Sequence, residues 1–280
     1  MLCLLSAAIV WGLMWYPYRV LQEAGVSGKL ATLVSYSLAL IFGLLIVGGV
    51  WREFRVARWW AVALTLSAGW TNLGYVLAVL NGEVMRVLLL FYLAPLWTVI
   101  FARWLLHEKL SGYGYGVIAL SLGGASVMLW QPGMGAPVPQ NMAEWIGLSA
   151  GVCFALTNVM VRHTQQLSVN FKSASIWFGT TLLTLPVLLY QGGLVSGLQA
   201  ITPNSWMILV VLALVLCATS LTVQHGLTQL PANQSIIIFL SELVIAAISS
   251  YMLAGEEMGT REIVGAVLII SASLLSGKTH

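Results

Sequence analysis

Ten long runs of apolar residues divide this chain almost from end to end. Each run has about 17 to 25 residues, the length at which a helix crosses the ~30 Å hydrocarbon core of a membrane. Only 8% of the 280 residues are charged and 59% are hydrophobic, whereas soluble domains carry roughly 25% charged residues. The sequence therefore predicts an all-α integral membrane protein with ten transmembrane helices. The predicted spans are 2–20, 30–50, 59–80, 85–106, 113–131, 144–162, 173–191, 205–229, 235–254 and 262–277.

The residues between these runs exclude several classes of function. The connections are too short for a soluble catalytic domain, and loop arginines account for the net charge of +3, so nucleic acid is not a predicted partner. Cys3, Cys153 and Cys217 lie in separate runs without a C-x-x-C pair, and the four histidines are not clustered. No disulfide, metal site or cofactor is therefore predicted. The chain has no aspartate, which removes the paired aspartates of intramembrane proteolysis and argues against an enzyme.

The positive charges predict the orientation in the membrane, because short cytoplasmic loops are enriched in Lys and Arg. The first run lacks a basic region before it and is longer than the apolar core of a signal peptide, so we interpret it as a retained span. A cytoplasmic N-terminus places most of the bases inside, and ten spans then make both termini cytoplasmic. The bases inside are Arg52, Arg55, Arg58, Arg103, Lys109, Arg162, Lys172 and Lys278, and those outside are Arg19, Lys29, Arg86 and Arg261.

The sequence also repeats itself. A shift of 143 residues gives the identities Ser6/Ser149, Ala7/Ala150, Leu13/Leu156, Arg19/Arg162, Gln22/Gln165, Val26/Val169, Lys29/Lys172 and Ala31/Ala174. A shift of 148 gives Phe91/Phe239, Ile100/Ile248, Leu105/Leu253 and Glu108/Glu256. The general likeness of membrane helices is the alternative explanation. A true duplication predicts halves at 1–131 and 144–280 joined by an extracytoplasmic linker at 132–143, and five spans per half make the second half inverted, as in many secondary transporters.

The segment NGEVMRVLLLFYLAPLW at 81–97 and the Trp-rich first span that ends at Arg19 carry a family resemblance. The chain resembles the drug/metabolite transporter superfamily with two EamA-type repeats, and within it the YddG-type exporters of aromatic amino acids. The resemblance implies ten helices around a central cavity, alternating access, and export of amino acids across the bacterial inner membrane. Many EamA repeats carry Glu-Pro in the fourth helix of each half. Here the first half has Ala94-Pro95 and the second has Glu242-Leu243.

Glu242 is the main candidate for coupling or gating. A charge inside a membrane costs at least ~2.5–3.5 kcal/mol unless it faces a cavity or a partner, so such a residue is by default a functional candidate. His225 has a similar depth on the preceding span, which leads to the hypothesis that the two form a proton-responsive pair at the inner mouth of the cavity. A static structural pair is the alternative. Pro95 is a further gating candidate because it lies opposite the Glu242 segment in the repeat alignment.

Aromatic and amide side chains near the middle of their spans are the candidates for substrate binding. Rings can pack an apolar side chain of a zwitterion, while amides and hydroxyls hold its carboxylate and amine. The alternative for the aromatic residues is anchoring at the membrane interface. The predicted cavity residues are Trp11, Trp15, Tyr18, Asn72, Tyr75, Tyr92, Trp97, Asn158 and Ser241.

The partners predicted from this reading are small molecules, namely amino acids, and the lipid bilayer. An internally duplicated carrier needs no second copy to build its cavity, so a monomer is predicted. Two alternatives stay open for function: export of other small metabolites or drugs, and an intramembrane enzyme or a channel.

Overall fold

A computed structural model describes residues 1–46, 50, 53, 58–131, 133, 135, 138–255 and 257–278. These residues form α-helices and contain no strand. The helices are α1 (Leu2–Leu13), α2 (Trp15–Glu23), α3 (Gly28–Ile46), α4 (Arg58–Asn81), α5 (Val84–Phe91), α6 (Ala94–Phe101), α7 (Gly112–Leu129), α8 (Met142–His163), α9 (Val169–Gln191), α10 (Leu194–Gln199), α11 (Pro203–Gln229), α12 (Ala232–Phe239), α13 (Ser241–Ala254) and α14 (Thr260–Leu275). A π-helical turn, Ala102–Leu106, continues α6, and a 3₁₀ turn, Ser276–Lys278, follows α14.

Nine spans in the described part of the chain are long and apolar enough to cross a membrane. They are Leu2–Glu23, Gly28–Ile46, Arg58–Asn81, Val84–Leu106, Gly112–Leu129, Met142–His163, Val169–Gln191, Pro203–Gln229 and Ala232–Ala254. An all-helical membrane protein is thereby confirmed. The tenth predicted span corresponds to α14, whose 16 residues fall short of the ~20 usually needed, so this span stays a prediction. Arg52, Arg55 and Glu256, used above for orientation and for the repeat, lie outside the described residues.

Three of the nine spans are broken near their middle. The breaks lie at Met14 between α1 and α2, at Tyr92 and Leu93 between α5 and α6, and at Leu240 between α12 and α13. Pro95 stands in the first turn of α6, where a missing N–H is tolerated, so it favours a new helix start at that point. Pro186 does not break the seventh span, since α9 continues through it.

Helix packing brings the broken spans together at the centre. The α8 helix packs against α4, α5 and α6, while α1 packs against α11, α12 and α13. The α7 helix pairs with α14 through a close glycine crossing, where a Cβ on Gly124 would lie 2.9 Å from the Gly265 carbonyl oxygen. The largest buried apolar cluster draws on α1, α5, α6, α8, α12 and α13.

Short connections join most of the spans, so consecutive spans run in opposite directions. We call the membrane face at which α1 begins the N-terminal face, and the other the far face. The surface between the faces carries exposed apolar side chains such as Leu45, Tyr190 and Leu274, as expected where a protein meets lipid rather than water.

Candidate functional site

Four stacked or tilted aromatic rings fill the centre of the helix bundle, and we call them the aromatic cluster: Trp11, Phe91, Phe154 and Phe239. Phe154 is the hub, with ring centroids 5.5 Å from Phe91, 5.7 Å from Phe239 and 6.3 Å from Trp11. Trp11 also stacks on Phe239 at 5.7 Å. Such offset and tilted pairs are favourable beyond their buried area. Trp11 lies nine residues into its span, about 14 Å from its start, so the cluster lies near mid-membrane.

The local backbone explains how these rings meet. Phe91 is the last residue of α5 and Phe239 the last of α12, so each ring stands at the edge of a helix break. Gly151 lets α8 approach the first break closely, because a Cβ there would lie 2.4 Å from the Phe91 carbonyl oxygen. A larger residue at this position would push α8 away from the break.

Glu242 lies in the first turn of α13, immediately after the break at Leu240. The positive end of the helix dipole favours a carboxylate in that turn. The phenol groups of Tyr92 and Tyr75 lie near the Glu242 carboxyl group. Tyr75 and Tyr92 in turn pack edge-on against Phe91, at 5.2 and 5.3 Å between centroids. The site thus joins a carboxyl group and two phenols to the aromatic cluster.

A hydrogen-bond chain holds the broken first span against α13. The Trp15 indole donates to the Ser249 hydroxyl oxygen at 2.8 Å. The single Ser249 hydroxyl hydrogen is shared between the Ala246 carbonyl oxygen of its own helix, at 2.9 Å, and the Gly12 carbonyl oxygen, at 3.1 Å. A Cβ on Gly12 would lie 2.8 Å from the Glu242 carbonyl oxygen. The break at Met14 and the break at Leu240 are therefore in direct contact.

This architecture is a known one. A family model described as the EamA-like transporter family matches residues 1–130 and 141–277. The chain belongs to the EamA-like transporter family. It is accordingly a multi-pass membrane protein with a transport role.

Two further comparisons agree with the family. The uncharacterized transporter PA0485 of Pseudomonas aeruginosa is 23% identical over 199 residues, which are 68% of this chain and 63% of that protein. The chain thus spans less than two thirds of the length of this curated relative. A solved structure described as "Crystal structure of protein" superposes with a TM-score of 0.75 at 16% identity, covering 98% of this chain and 96% of the other. This likeness shows a shared fold.

Two of the predicted cavity residues have hydrogen-bond partners on other helices. The Asn72 amide donates to the Thr180 hydroxyl at 3.2 Å and to the Ala68 carbonyl at 2.9 Å, and it accepts from the Tyr36 hydroxyl at 2.7 Å. Tyr18 accepts a long hydrogen bond of 3.5 Å from Thr32. Their place in a substrate cavity stays a prediction.

Ser241 likewise has a partner, since its hydroxyl donates to the Ile238 carbonyl across the break. Trp97 and Asn158 differ, because the Trp97 indole nitrogen and the Asn158 amide nitrogen are buried without a partner in the described structure. These two donors are free to bind another molecule.

The structure does not bring His225 to Glu242. Among the described residues no hydrogen bond or ion pair joins the two, and His225 is exposed on α11. The phenols near Glu242 are Tyr75 and Tyr92, and Tyr92 lies on the broken span that also holds Pro95. Within the described residues, no group of three or more His, Cys, Asp or Glu side chains is placed to hold a metal ion.

Sequence reasoning missed two features of the transporter. Phe91, Phe154 and Phe239 were not candidates, because a phenylalanine in an apolar run gives no signal of its own. Arg86 was expected near an outer span end for topology or packing, but its partner was not foreseen. Its guanidinium binds both carboxylate oxygens of Glu144, at 2.8 and 3.0 Å, and this pair is buried.

An apolar crevice of about 480 Å³ opens at the surface between the first span, α11 and the end of α13. Met14 and Pro17 line it beside the first break, with Leu212 and Leu253 opposite. It borders the broken first span on the side away from the aromatic cluster.

Proposed function

We propose that this protein is a secondary transporter that exports amino acids, aromatic and other neutral ones, across the bacterial inner membrane by alternating access. The observation that carries the proposal is the aromatic cluster beside Glu242, Tyr75 and Tyr92, where three broken spans meet near mid-membrane. Broken helices at this depth are the usual place of substrate sites in secondary transporters.

The chemistry of the site fits a zwitterion with an apolar side chain. The Glu242 carboxylate and the Tyr92 hydroxyl can hold an ammonium group, since charge-assisted hydrogen bonds are strong in a dry site. The rings of the aromatic cluster offer flat apolar faces to a substrate ring. The unpartnered indole N–H of Trp97 is a donor for a carboxylate. An amino acid would thus satisfy groups that the protein leaves open.

The packing pattern supports two inverted halves, 1–131 and 144–280, with the linker 132–143 between them. The first span contacts α11, α12 and α13 in the same way as α8 contacts α4, α5 and α6. A duplicated chain whose halves are related by an axis in the membrane plane produces such matched contacts. The two ranges matched by the family model divide the chain at a similar point. In this proposal the N-terminal face is cytoplasmic, the transporter is a monomer, and ten helices span the membrane.

Glu242 and Pro95 are proposed to gate or couple transport. Both stand in the first turn of the second half of a broken span, so a movement at either break changes the distance between Tyr92 and Glu242. The proposal does not include His225 as the partner of Glu242.

The test is counterflow in liposomes that hold the purified protein. We expect saturable uptake of labelled tryptophan or threonine against the same unlabelled amino acid, and a rate that responds to a pH gradient. Glu242→Gln should raise the KM for the amino acid, because an amide holds an ammonium group less well than a carboxylate, and the counterflow that remains should lose the pH response, because an amide cannot exchange a proton at these pH values. Glu23→Gln is the matched control, since Glu23 is exposed at the far face.

Two results would contradict the proposal in different ways. No counterflow of either amino acid, from protein shown to be folded, would discard amino acids and turn the search to other small metabolites or drugs. An unchanged pH response in Glu242→Gln would remove Glu242 from coupling while leaving the substrate class intact.

A further inference from the structure

Three buried amides near the N-terminal face have side-chain atoms without a hydrogen-bond partner in the described part of the chain. The atoms are the Asn158 nitrogen, the Gln224 oxygen, and both the nitrogen and the oxygen of Asn233. These residues are only 3%, 1% and 1% exposed. Unpaired buried polar atoms are rare in folded proteins, and each one calls for an explanation.

Two of the amides lie at the same depth on neighbouring helices. Asn158 is five residues before the end of α8, and Gln224 is five residues before the end of α11, which places both about 7 Å from the helix ends. The α8 and α11 helices run in the same direction. One turn further on, Arg162 donates from α8 to the Thr228 carbonyl on α11. Residues four apart share a helix face, so Asn158 and Gln224 lie on the sides of α8 and α11 that face each other.

Asn233 joins them from a third helix. It follows Ala232, which packs in one apolar cluster with Val159 of α8 and Ala102 of the fourth span. Since Ala232 begins α12, this contact places the first turn of α12, which carries Asn233, beside the last turns of α8, which carry Asn158. Three neighbouring helices thus carry unpaired amides on the N-terminal side of the aromatic cluster.

The energetic cost of this arrangement needs a compensating partner. A buried polar atom left without a hydrogen bond destabilises the fold, because it gives up its bonds to water, and lipid offers no hydrogen bonds in place of water. Apolar residues of the same size would avoid the cost. The amides together present both donors and acceptors and no formal charge, so they match a ligand group that also both donates and accepts.

We propose that Asn158, Gln224 and Asn233 form a second substrate site, which we call the amide site, between the aromatic cluster and the N-terminal face. It takes the polar head of a neutral or zwitterionic molecule, such as the ammonium and carboxylate of an amino acid, on its way to or from the central site. The inference rests on the proposed transport function, and it adds residues that the aromatic cluster does not use. Water fills the site when the passage to the N-terminal face is open and no substrate is bound.

Kinetics of matched variants test the amide site. Gln224→Met and Asn233→Leu keep the side-chain size and remove the polar atoms. For the amino acid that the wild type transports, we expect each to raise KM about fivefold or more, as loss of one or two substrate hydrogen bonds predicts. Their Tm should not fall, because no bond within the protein is lost.

The control is Leu209→Met, an equally buried position near the far-face end of α11, where KM should stay within about twofold, as for size-conserving apolar changes. Unchanged KM in both amide variants, together with a raised Tm, would overturn the proposal and leave the amides as unpaired structural groups.

Cysteine labelling gives an answer that does not depend on the substrate or on the stability of those variants. In a chain whose Cys3, Cys153 and Cys217 are replaced by alanine, single changes Gln224→Cys, Asn233→Cys and Leu209→Cys are exposed to a charged methanethiosulfonate from the N-terminal face. We expect labelling at 224 and 233 and none at 209, which is buried near the far-face end of α11. No labelling at 224 and 233 would overturn the amide site. Labelling there without any amino-acid counterflow by the wild type would support the site and contradict only the amino-acid assignment.

Discussion

Two helix packages of this transporter occupy matching positions, yet different chemistry holds them. The α8 helix and the broken span α5–α6 are tied by ions at both ends: Arg86 pairs with Glu144 near the far face, and Arg162 lies 3.9 Å from Glu108 near the N-terminal face. The broken first span α1–α2 and the broken span α12–α13 are tied by neutral hydrogen bonds, in which Ser249 of α13 bonds to Trp15 of α2 and to Gly12 of α1. The shifts of 143 and 148 residues align the two packages.

This difference in bonding indicates which of the two helix packages can change its internal arrangement. A bidentate Arg–carboxylate pair fixes both distance and angle, and leaving one buried member unpaired is costly. Neutral hydrogen bonds between helices in a membrane are weaker, typically about 0.6 kcal/mol in the measured case. We therefore expect α5, α6 and α8 to stay together during transport, while α1 shifts against α12 and α13.

Breaking the ion pair should have the largest effect. Glu144→Gln leaves the Arg86 guanidinium buried beside a neutral amide, and we expect Tm to fall by about 5 °C or more. Glu23→Gln, which breaks only the exposed pair with Arg19, should change Tm little. Thermal unfolding followed by size-exclusion chromatography measures both. Equal Tm values for Glu144→Gln and Glu23→Gln would show that apolar packing, and not the ion pair, holds α8 against α5 and α6.

Adding one methyl group where α8 approaches the break between α5 and α6 should have the next largest effect. A Cβ in Gly151→Ala meets the Phe91 carbonyl oxygen at 2.4 Å, and we expect a loss of about 1–3 kcal/mol of stability from overpacking. Gly123→Ala on α7 is the control, because its Cβ meets no atom within 4 Å. Chemical denaturation compares the two. A Gly151→Ala protein as stable as Gly123→Ala would mean that α8 can retreat from the break without cost.

Removing the neutral hydrogen bonds of Ser249 should have the smallest effect on stability. Ser249→Ala deletes the acceptor of the Trp15 indole and the hydroxyl that lies 3.1 Å from Gly12, at a cost of about 1 kcal/mol. Because this contact belongs to the package expected to move, the maximal counterflow rate should change more than Tm. Thr222→Ala is the control, since the Thr222 hydroxyl bonds only within its own helix. An unaltered rate would place the movement elsewhere.

The fold was largely predictable because lipid imposes a simple rule on sequence. Nine predicted spans match the structure to within a few residues. Inside the membrane the backbone of each span must form its own hydrogen bonds, so each span is a helix, and the length of an apolar run is enough to identify it. The breaks were harder to foresee. Pro95 signalled the break of α5 and α6, whereas no proline marks the break at Leu240, and Pro186 marks none.

The candidate site was predictable only where a residue stands out from its surroundings. Glu242 was identifiable as a charge in an apolar run. The pairing of Arg86 with Glu144 was not, because 58 positions separate them in the chain. Phe154 gave no compositional signal, although the shift of 143 residues aligns it with Trp11, and the shift of 148 aligns Phe91 with Phe239. Aromatic residues aligned across an internal repeat were the signal that could have found the cluster.

The complete burial of α12 has a consequence for how the protein is made. All eight of its residues are buried among other helices. This segment is therefore surrounded by protein rather than by lipid, and it can contain the polar residues Asn233, Gln234 and Ser235. Most of the helices that enclose it, α1, α6, α8 and α11, precede it in the chain. A ribosome that delivers the chain from its N-terminus therefore offers α12 to neighbours that are already in the bilayer. A circular permutant that begins with α12 would have to insert this segment before those neighbours exist.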